Sequence, residues 1–340
     1  MLSPLFMLKN IVVFIAIFLY SQTVEAQWFK NSFKVMGTQA HVEFWLESNE
    51  AKQDKATENI EQHAQQLISI VQGEMQRIDE AMSPYKANSE LSLINARAGT
   101  ETLKITPELF HLLQVSQKIS RLSKGAFDIT YASIGYQYDY RNQQRPNKSA
   151  IKKALSAIDY SAIKLDEKQS TVHFAHHNVK IDLGGIAKGY AVKRCLALLK
   201  EAGVTHALVN AGGDTGLLGD RHGRPWLVGI KHPRAAYKMA VELPLENEAI
   251  STSGDYERYF IEDGVRYHHI INPQTGDSAR KVVSVSIIGK DPTMVDALST
   301  TIFVQGLVAG MKLIDSLPDY EAIIIDNEQT LHVSKGLQQQ

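Results

Sequence analysis

Between Glu50 and Ser83, residues Ile60, Leu67, Ile68, Val71, Met75, Ile78 and Met82 recur at spacings near three and four. That period lines them along one side of a long amphipathic helix, and such a stripe is core packing rather than a cofactor box. The segments around it do not alternate strictly between strand and helix. Phe33–Glu47 reads as one strand, in which His41, Glu43 and Leu46 interrupt residues such as Val42, Phe44 and Trp45. Thr106-Pro107-Glu108 opens a second helix with a capping residue and a first-turn proline, and Lys124-Gly125 ends it. A shorter helix covers Ala150–Ile158, and Ile163–Leu165, Thr171–Phe174 and Val179–Ile181 read as short strands. Gly185–Ala202 is a helix entered through glycines, Ala207–Asn210 a strand, and the remainder mostly strand apart from a helix over Thr293–Val308. Long helices beside many strands imply an α+β fold. Arg141–Lys148, polar and containing Pro146, reads as a surface excursion rather than a linker.

The N-terminus carries a different signal. From Met1 to Tyr20 the only ionisable side chain is Lys9, and Ile11–Tyr20 is apolar or aromatic throughout. Val24 and Ala26 then stand in the small-residue spacing of a signal-peptidase site. The apolar run is short for a membrane span of about 20 residues. We therefore expect a signal peptide over residues 1–26, a mature chain from Gln27 forming one compact domain over 27–340, and a periplasmic location. An uncleaved anchor is the competing reading, since Leu2–Met7 would lengthen the apolar stretch.

The net charge of −1 excludes the basic excess of a typical nucleic-acid binder. The single cysteine, Cys195, makes an intramolecular disulfide impossible. Its place in the apolar run Tyr190–Leu199 marks it as a core thiol rather than a nucleophile.

Three glycine-containing segments carry candidate chemistry. In Ile181-Asp182-Leu183-Gly184-Gly185-Ile186-Ala187-Lys188-Gly189-Tyr190 a strand ends in an acid, glycines turn the backbone, and a helix begins with a lysine in its first turn. Free N–H groups at a helix start plus a lysine suit a phosphate or pyrophosphate, although a plain strand-turn-helix connection has the same look. Val209-Asn210-Ala211-Gly212-Gly213-Asp214 is a strand running into a tight turn, a pattern that ordinary hairpins share. The third segment is His268–Gly276 followed by Asp296-Ala297-Leu298-Ser299-Thr300. His268 and His269 have no third ligand at zinc-like spacing. Asp296 and Thr300, four apart, face one way on a helix. With a backbone carbonyl they would form an all-oxygen site suited to magnesium, whereas the bland reading is a helix-start acid with a polar neighbour.

Taken in order, these segments resemble the FAD:protein FMN transferases, the ApbE family. Matching stretches are Val35-Met36-Gly37-Thr38, Ser83-Pro84-Tyr85, Ser123–Thr130, Asp182–Ala191, Asn210–Asp214, Ile250–Asp255, His269–Gly276 and Asp296–Thr300. They extend over about Phe33 to Val333, nearly all of the mature chain. The resemblance implies an ApbE-like fold and FAD contacts at Met36, Tyr85, Ala126, Phe127, Asp128, Asp182, Lys188 and Ile270. It implies Mg²⁺ held by the Gly185 carbonyl, Asp296 and Thr300. It also implies that an acceptor Thr or Ser hydroxyl attacks the phosphate on the FMN side of FAD and releases AMP, with His269 the candidate base. Expected acceptors are flavinylated subunits of membrane redox complexes, such as a Na⁺-translocating NADH:quinone reductase. An FAD pyrophosphatase and a periplasmic FAD-binding protein are the alternatives. The chain departs from many relatives in lacking a lipobox cysteine, in Pro84, and in Gly185 where some carry alanine or threonine.

Overall fold

A computed structural model describes residues 26–47, 53–235 and 237–338. The expected leader lies outside the described residues except for Ala26, which opens the first strand. The centre is an eight-stranded sheet. Its strands, in spatial order, are Ala26–Val35, Thr38–Glu47, Ala207–Ala211, Asp214–Leu218, Ala249–Gly254, Ser284–Gly289, Tyr320–Ile325 and Leu331–Val333, and every neighbouring pair is antiparallel. A separate small sheet joins Leu103–Lys104, Thr171–Phe174 and Ile163–Asp166.

Helices cover one face of the large sheet. The Gln53–Met82 helix packs on the Ala187–Glu201 helix, which in turn meets the Pro292–Gln305 helix. All seven residues of the long-helix stripe are buried, in one cluster with Val42 and Phe44 of the sheet and Leu112, Leu113 and Ile119 of the Pro107–Leu122 helix. On the opposite face the hairpin Trp226–Lys231/Met239–Leu245 places Trp226, Ile230 and Leu245 over Leu217, Ile250, Ile288 and Ile323. With both faces covered, Ser284–Gly289 is buried at every position, so its burial does not alternate along the strand. Cys195 lies in the helix-side core, where burial pushes its thiol up to about 12. Among the described residues no helix is long and apolar enough to cross a membrane.

Several sequence-based expectations change. Phe33–Glu47 is not one strand but parts of two, paired from Ala26↔Glu47 to Val35↔Thr38. The turn between them is Met36-Gly37, with φ of 52° and 68°, the left-handed pair that lets a two-residue hairpin follow the strand twist. Val179–Ile181 is not a strand, because side chains take its backbone groups. Asn95 Oδ1 accepts from the Ile181 N–H at 2.7 Å, while Asn95 Nδ2 and the Tyr136 hydroxyl donate to the Ile181 carbonyl at 2.8 and 2.7 Å. The late helix breaks at Gly306, φ 82°, and resumes as Leu307–Ile314. The glycine-entered helix starts later than expected, at Ala187.

Candidate active site

Pinning Ile181 fixes the next residue. Asp182 is buried, and its Oδ1 accepts from the Gly184 N–H at 2.6 Å. Burial raises the Asp182 pKa, against the stabilising Gly184 N–H and the neighbouring Tyr131 and Tyr136 hydroxyls. The backbone then passes close to two other segments. A Cβ on Gly185 would lie 3.3 Å from Thr300 Oγ1 and 3.4 Å from Phe127 Cε2. Three of the expected site residues therefore meet at one point.

The helix that follows has no side-chain cap. Its start is nevertheless not a set of free donors, as the sequence suggested, because the Gly189 N–H donates to Asp296 Oδ2 at 2.9 Å. A Cβ at Gly189 would stand 2.2 Å from the Pro292 carbonyl oxygen and 2.7 Å from Asp296 Cβ, so only glycine allows this helix contact. Lys188, one residue earlier, reaches Asp214 Oδ2 at 2.5 Å and Asp296 Oδ1 at 3.7 Å. Burial opposes its charge, but the two carboxylates outweigh that and its pKa is raised. For Asp296, burial and the nearby Asp214 raise the pKa, while Lys188 and the Gly189 N–H act against them.

A chain of hydroxyls holds this group in place. Ser251 Oγ donates to Asp214 Oδ1 at 2.5 Å and lies 3.2 Å from Ser299 Oγ. Ser253 Oγ lies 2.8 Å from Ser299 Oγ and 3.3 Å from Thr300 Oγ1. The Gly212-Gly213 turn that aims Asp214 is stapled by Asn210 Nδ2, which donates to the Gly212 and Asp214 carbonyls and to Thr215 Oγ1. The second glycine segment is thus both a hairpin and the mount for a buried acid.

The remaining expected residues divide. Ala126 and Ile270 share one apolar cluster, with Ile270 only 5% exposed. Met36 occupies the left-handed turn described above, and Tyr85 is 82% exposed, an uncovered aromatic face. The Asp128 carboxylate is already committed to the fold. Its Oδ1 accepts from the Thr130 N–H and hydroxyl at 2.8 and 2.6 Å, and its Oδ2 from the Tyr160 N–H at 2.9 Å. Burial pushes it up to about 6.

The two histidines separate cleanly. His268 is buried, with Nε2 2.5 Å from the Ala279 carbonyl and Nδ1 accepting from the Ile270 N–H at 3.3 Å, so both ring nitrogens serve the fold. His269 is partly exposed, and its buried Nδ1 has no partner among the described residues. Burial, followed by His268, Arg258 and Lys188, pushes His269 down to about 3.

A family model described as the ApbE family matches residues 36–324. The chain belongs to the ApbE family. It is 32% identical to the FAD:protein FMN transferase of Treponema pallidum (strain Nichols), over 77% of this chain and 78% of that protein. It is 28% identical to the protein of the same name from Klebsiella pneumoniae (strain 342), over 80% and 86%. Its fold matches the ApbE protein from Thermotoga maritima with a TM-score of 0.80 and 32% identity, over 92% of this chain and 99% of that one. It also matches the flavin transferase ApbE from Vibrio cholerae, with a TM-score of 0.79 at 24% identity, a likeness of fold.

Within this ApbE family chain, sequence reasoning passed over Asp214 as an individual residue, the serines 251, 253 and 299, and Arg258. Ser251 and Ser253 are two apart on a strand, and hence on one face, the one signal that could have flagged them. Arg258 lies in a loop with no period or motif spacing to single it out.

Proposed function

We propose that the chain is a magnesium-dependent FAD:protein FMN transferase that moves FMN from FAD onto a Thr or Ser hydroxyl of an acceptor protein. The observation that carries this reading is the convergence of Lys188, Asp214 and Asp296 beside Gly185 and Thr300, in a chain of this family. Asp296 would supply a carboxylate, Thr300 a hydroxyl and Gly185 a backbone carbonyl, a donor set that suits a hard cation preferring oxygen. Bound there, Mg²⁺ would neutralise charge on the pyrophosphate.

The chain's own residues supply the rest. Lys188 holds a positive charge beside the leaving group, fixed by Asp214. His269 is partly exposed and takes the acceptor hydroxyl proton, a role that falls to Nε2 because its Nδ1 is buried. The hydroxyl oxygen forms a new bond to the phosphorus on the FMN side, the bridging P–O bond breaks, and AMP leaves with the bridging oxygen.

Mass spectrometry of an acceptor incubated with this protein, FAD and Mg²⁺ should show a gain of FMN on a Thr or Ser. A flavinylated subunit of a membrane redox complex is the acceptor class to use. Rapid FAD cleavage to FMN and AMP without acceptor would point to a pyrophosphatase, and intact FAD throughout to a carrier. The apolar Ile11–Tyr20 run and the Val24/Ala26 spacing support export to the periplasm. N-terminal sequencing of the secreted protein should then begin at or near Gln27, whereas an intact leader on membrane-bound protein would mean an anchor.

A further inference from the structure

We propose that Arg258 is a second cation for the pyrophosphate of FAD, adding to Lys188, whose charge is already shared with two carboxylates. Lys188 is committed, lying between Asp214 and Asp296. Two carboxylates facing one ammonium leave that group with an excess of negative charge. A divalent ion would reverse the excess, but the doubly anionic pyrophosphate of FAD would restore it. One further cation balances the assembly.

Arg258 is placed to be that cation. Its Nη2 donates to the Gly37 carbonyl at 3.2 Å, which roots the guanidinium on the Met36-Gly37 turn. Its own carbonyl accepts from the His269 N–H at 3.1 Å, which roots its backbone beside the candidate base. The side chain is exposed, and no carboxylate among the described residues pairs with it. A guanidinium has five N–H donors in a rigid fork, so most remain available for phosphate oxygens. The nearby arginines differ. Arg234 is spent on Asp255 through two bonds of 2.7 and 2.6 Å, and Arg266 lies 3.8 Å from the same carboxylate and over the Tyr259 ring. The Arg258 charge also bears on Tyr85, Asp182, Lys188 and His269, in keeping with the two backbone contacts that root it there.

This inference rests on the transferase reading for its ligand, but binding alone can test it. FAD and riboflavin share the flavin ring, and only FAD carries the pyrophosphate. Titrating each by flavin fluorescence against Arg258→Gln should show FAD affinity falling by roughly 10–100-fold, the usual worth of a charge-assisted hydrogen bond, with riboflavin unchanged. Arg258→Lys should recover part of the loss, because the charge returns without the fork. Equal weakening of FAD and riboflavin would overturn the proposal and make Arg258 a prop for the Met36 turn. Unchanged FAD affinity in Arg258→Gln, in a protein whose wild type still labels an acceptor, would overturn it while leaving the transferase reading intact. Selective loss of FAD binding, in a protein that labels no acceptor, would uphold Arg258 and sink the transferase reading.

Discussion

Asp296→Asn is expected to cut acceptor labelling by roughly 10²–10³-fold, the range seen when one group stabilising transition-state charge is removed. Asparagine keeps the shape of the side chain and can still accept from the Gly189 N–H that Asp296 Oδ2 holds at 2.9 Å. It removes the only carboxylate among the three expected metal ligands. Lys188 retains Asp214 at 2.5 Å, so the helix start should stay in place and the melting temperature should move little compared with the rate. Alanine would be the poorer test, since it leaves a buried N–H without a partner. Chelation with EDTA should reproduce the loss in the wild type. Thr300→Val should be milder, because water can replace a neutral hydroxyl. Labelling rates measured over a Mg²⁺ titration decide the matter: a full rate for Asp296→Asn at limiting Mg²⁺ would remove this residue from the metal site.

His269→Ala should lower the transfer rate by roughly 10²–10⁴-fold while leaving FAD affinity nearly unchanged. The structure alters the pH dependence expected from sequence. An ordinary histidine would give an acid limb near about 6.5, whereas burial and the charges of His268, Arg258 and Lys188 push His269 down to about 3. Lowering the pKa keeps the imidazole neutral, and so able to accept a proton, at every pH above that value. In the free enzyme kcat/KM should therefore not fall through pH 6.5 on account of His269, and its acid limb belongs near 3. Bound pyrophosphate brings negative charge that offsets Arg258 and Lys188, so the limb in kcat should stand at higher pH than the limb in kcat/KM. Stopped assays of labelling from pH 8 downward, with FAD binding followed by fluorescence, separate these quantities. A large loss of FAD binding in His269→Ala, with an unchanged rate at saturation, would make it a positioning residue. Asp255 would be a poor replacement as base, because Arg234 grips both of its oxygens.

What could be read from the sequence follows from how local each feature is. The long helix was legible because its stripe obeys a single period and all seven of its residues are buried. The Pro107–Leu122 helix was legible from its Thr106 cap, whose side chain accepts from the Leu109 N–H. The Met36-Gly37 turn was not, since methionine rarely takes a positive φ and no Asn-Gly or Asp-Gly marks the hairpin. Val179–Ile181 looked like a strand because β-branched Val179 and Ile181 flank a lysine in alternation, yet Asn95 and Tyr136, distant in sequence, satisfy its backbone. At the site, the resemblance named Asp296, Thr300, Gly185 and Lys188. The serines and Asp214 that hold them depend on which strands lie side by side, and beyond the two-residue spacing of Ser251 and Ser253 no local pattern carries that information.

The sheet's own connectivity bears on how the chain reaches its native state. The strand Thr38–Glu47 pairs with Ala207–Ala211, from Ala40↔Ala211 to Phe44↔Ala207, so residues 48–206 intervene between two adjacent strands. Those residues include the long helix, the Pro107–Leu122 helix, the small sheet and the Ala187–Glu201 helix that packs on the same sheet. A pairing this distant in sequence is slow to form. In a chain that emerges N-terminus first, the opening hairpin must wait with an unpaired apolar edge until Ala207–Ala211 arrives. Such an edge invites pairing with another chain during the wait. Refolding from denaturant should therefore be single-exponential only at low protein concentration, with yield rather than rate falling first as concentration rises.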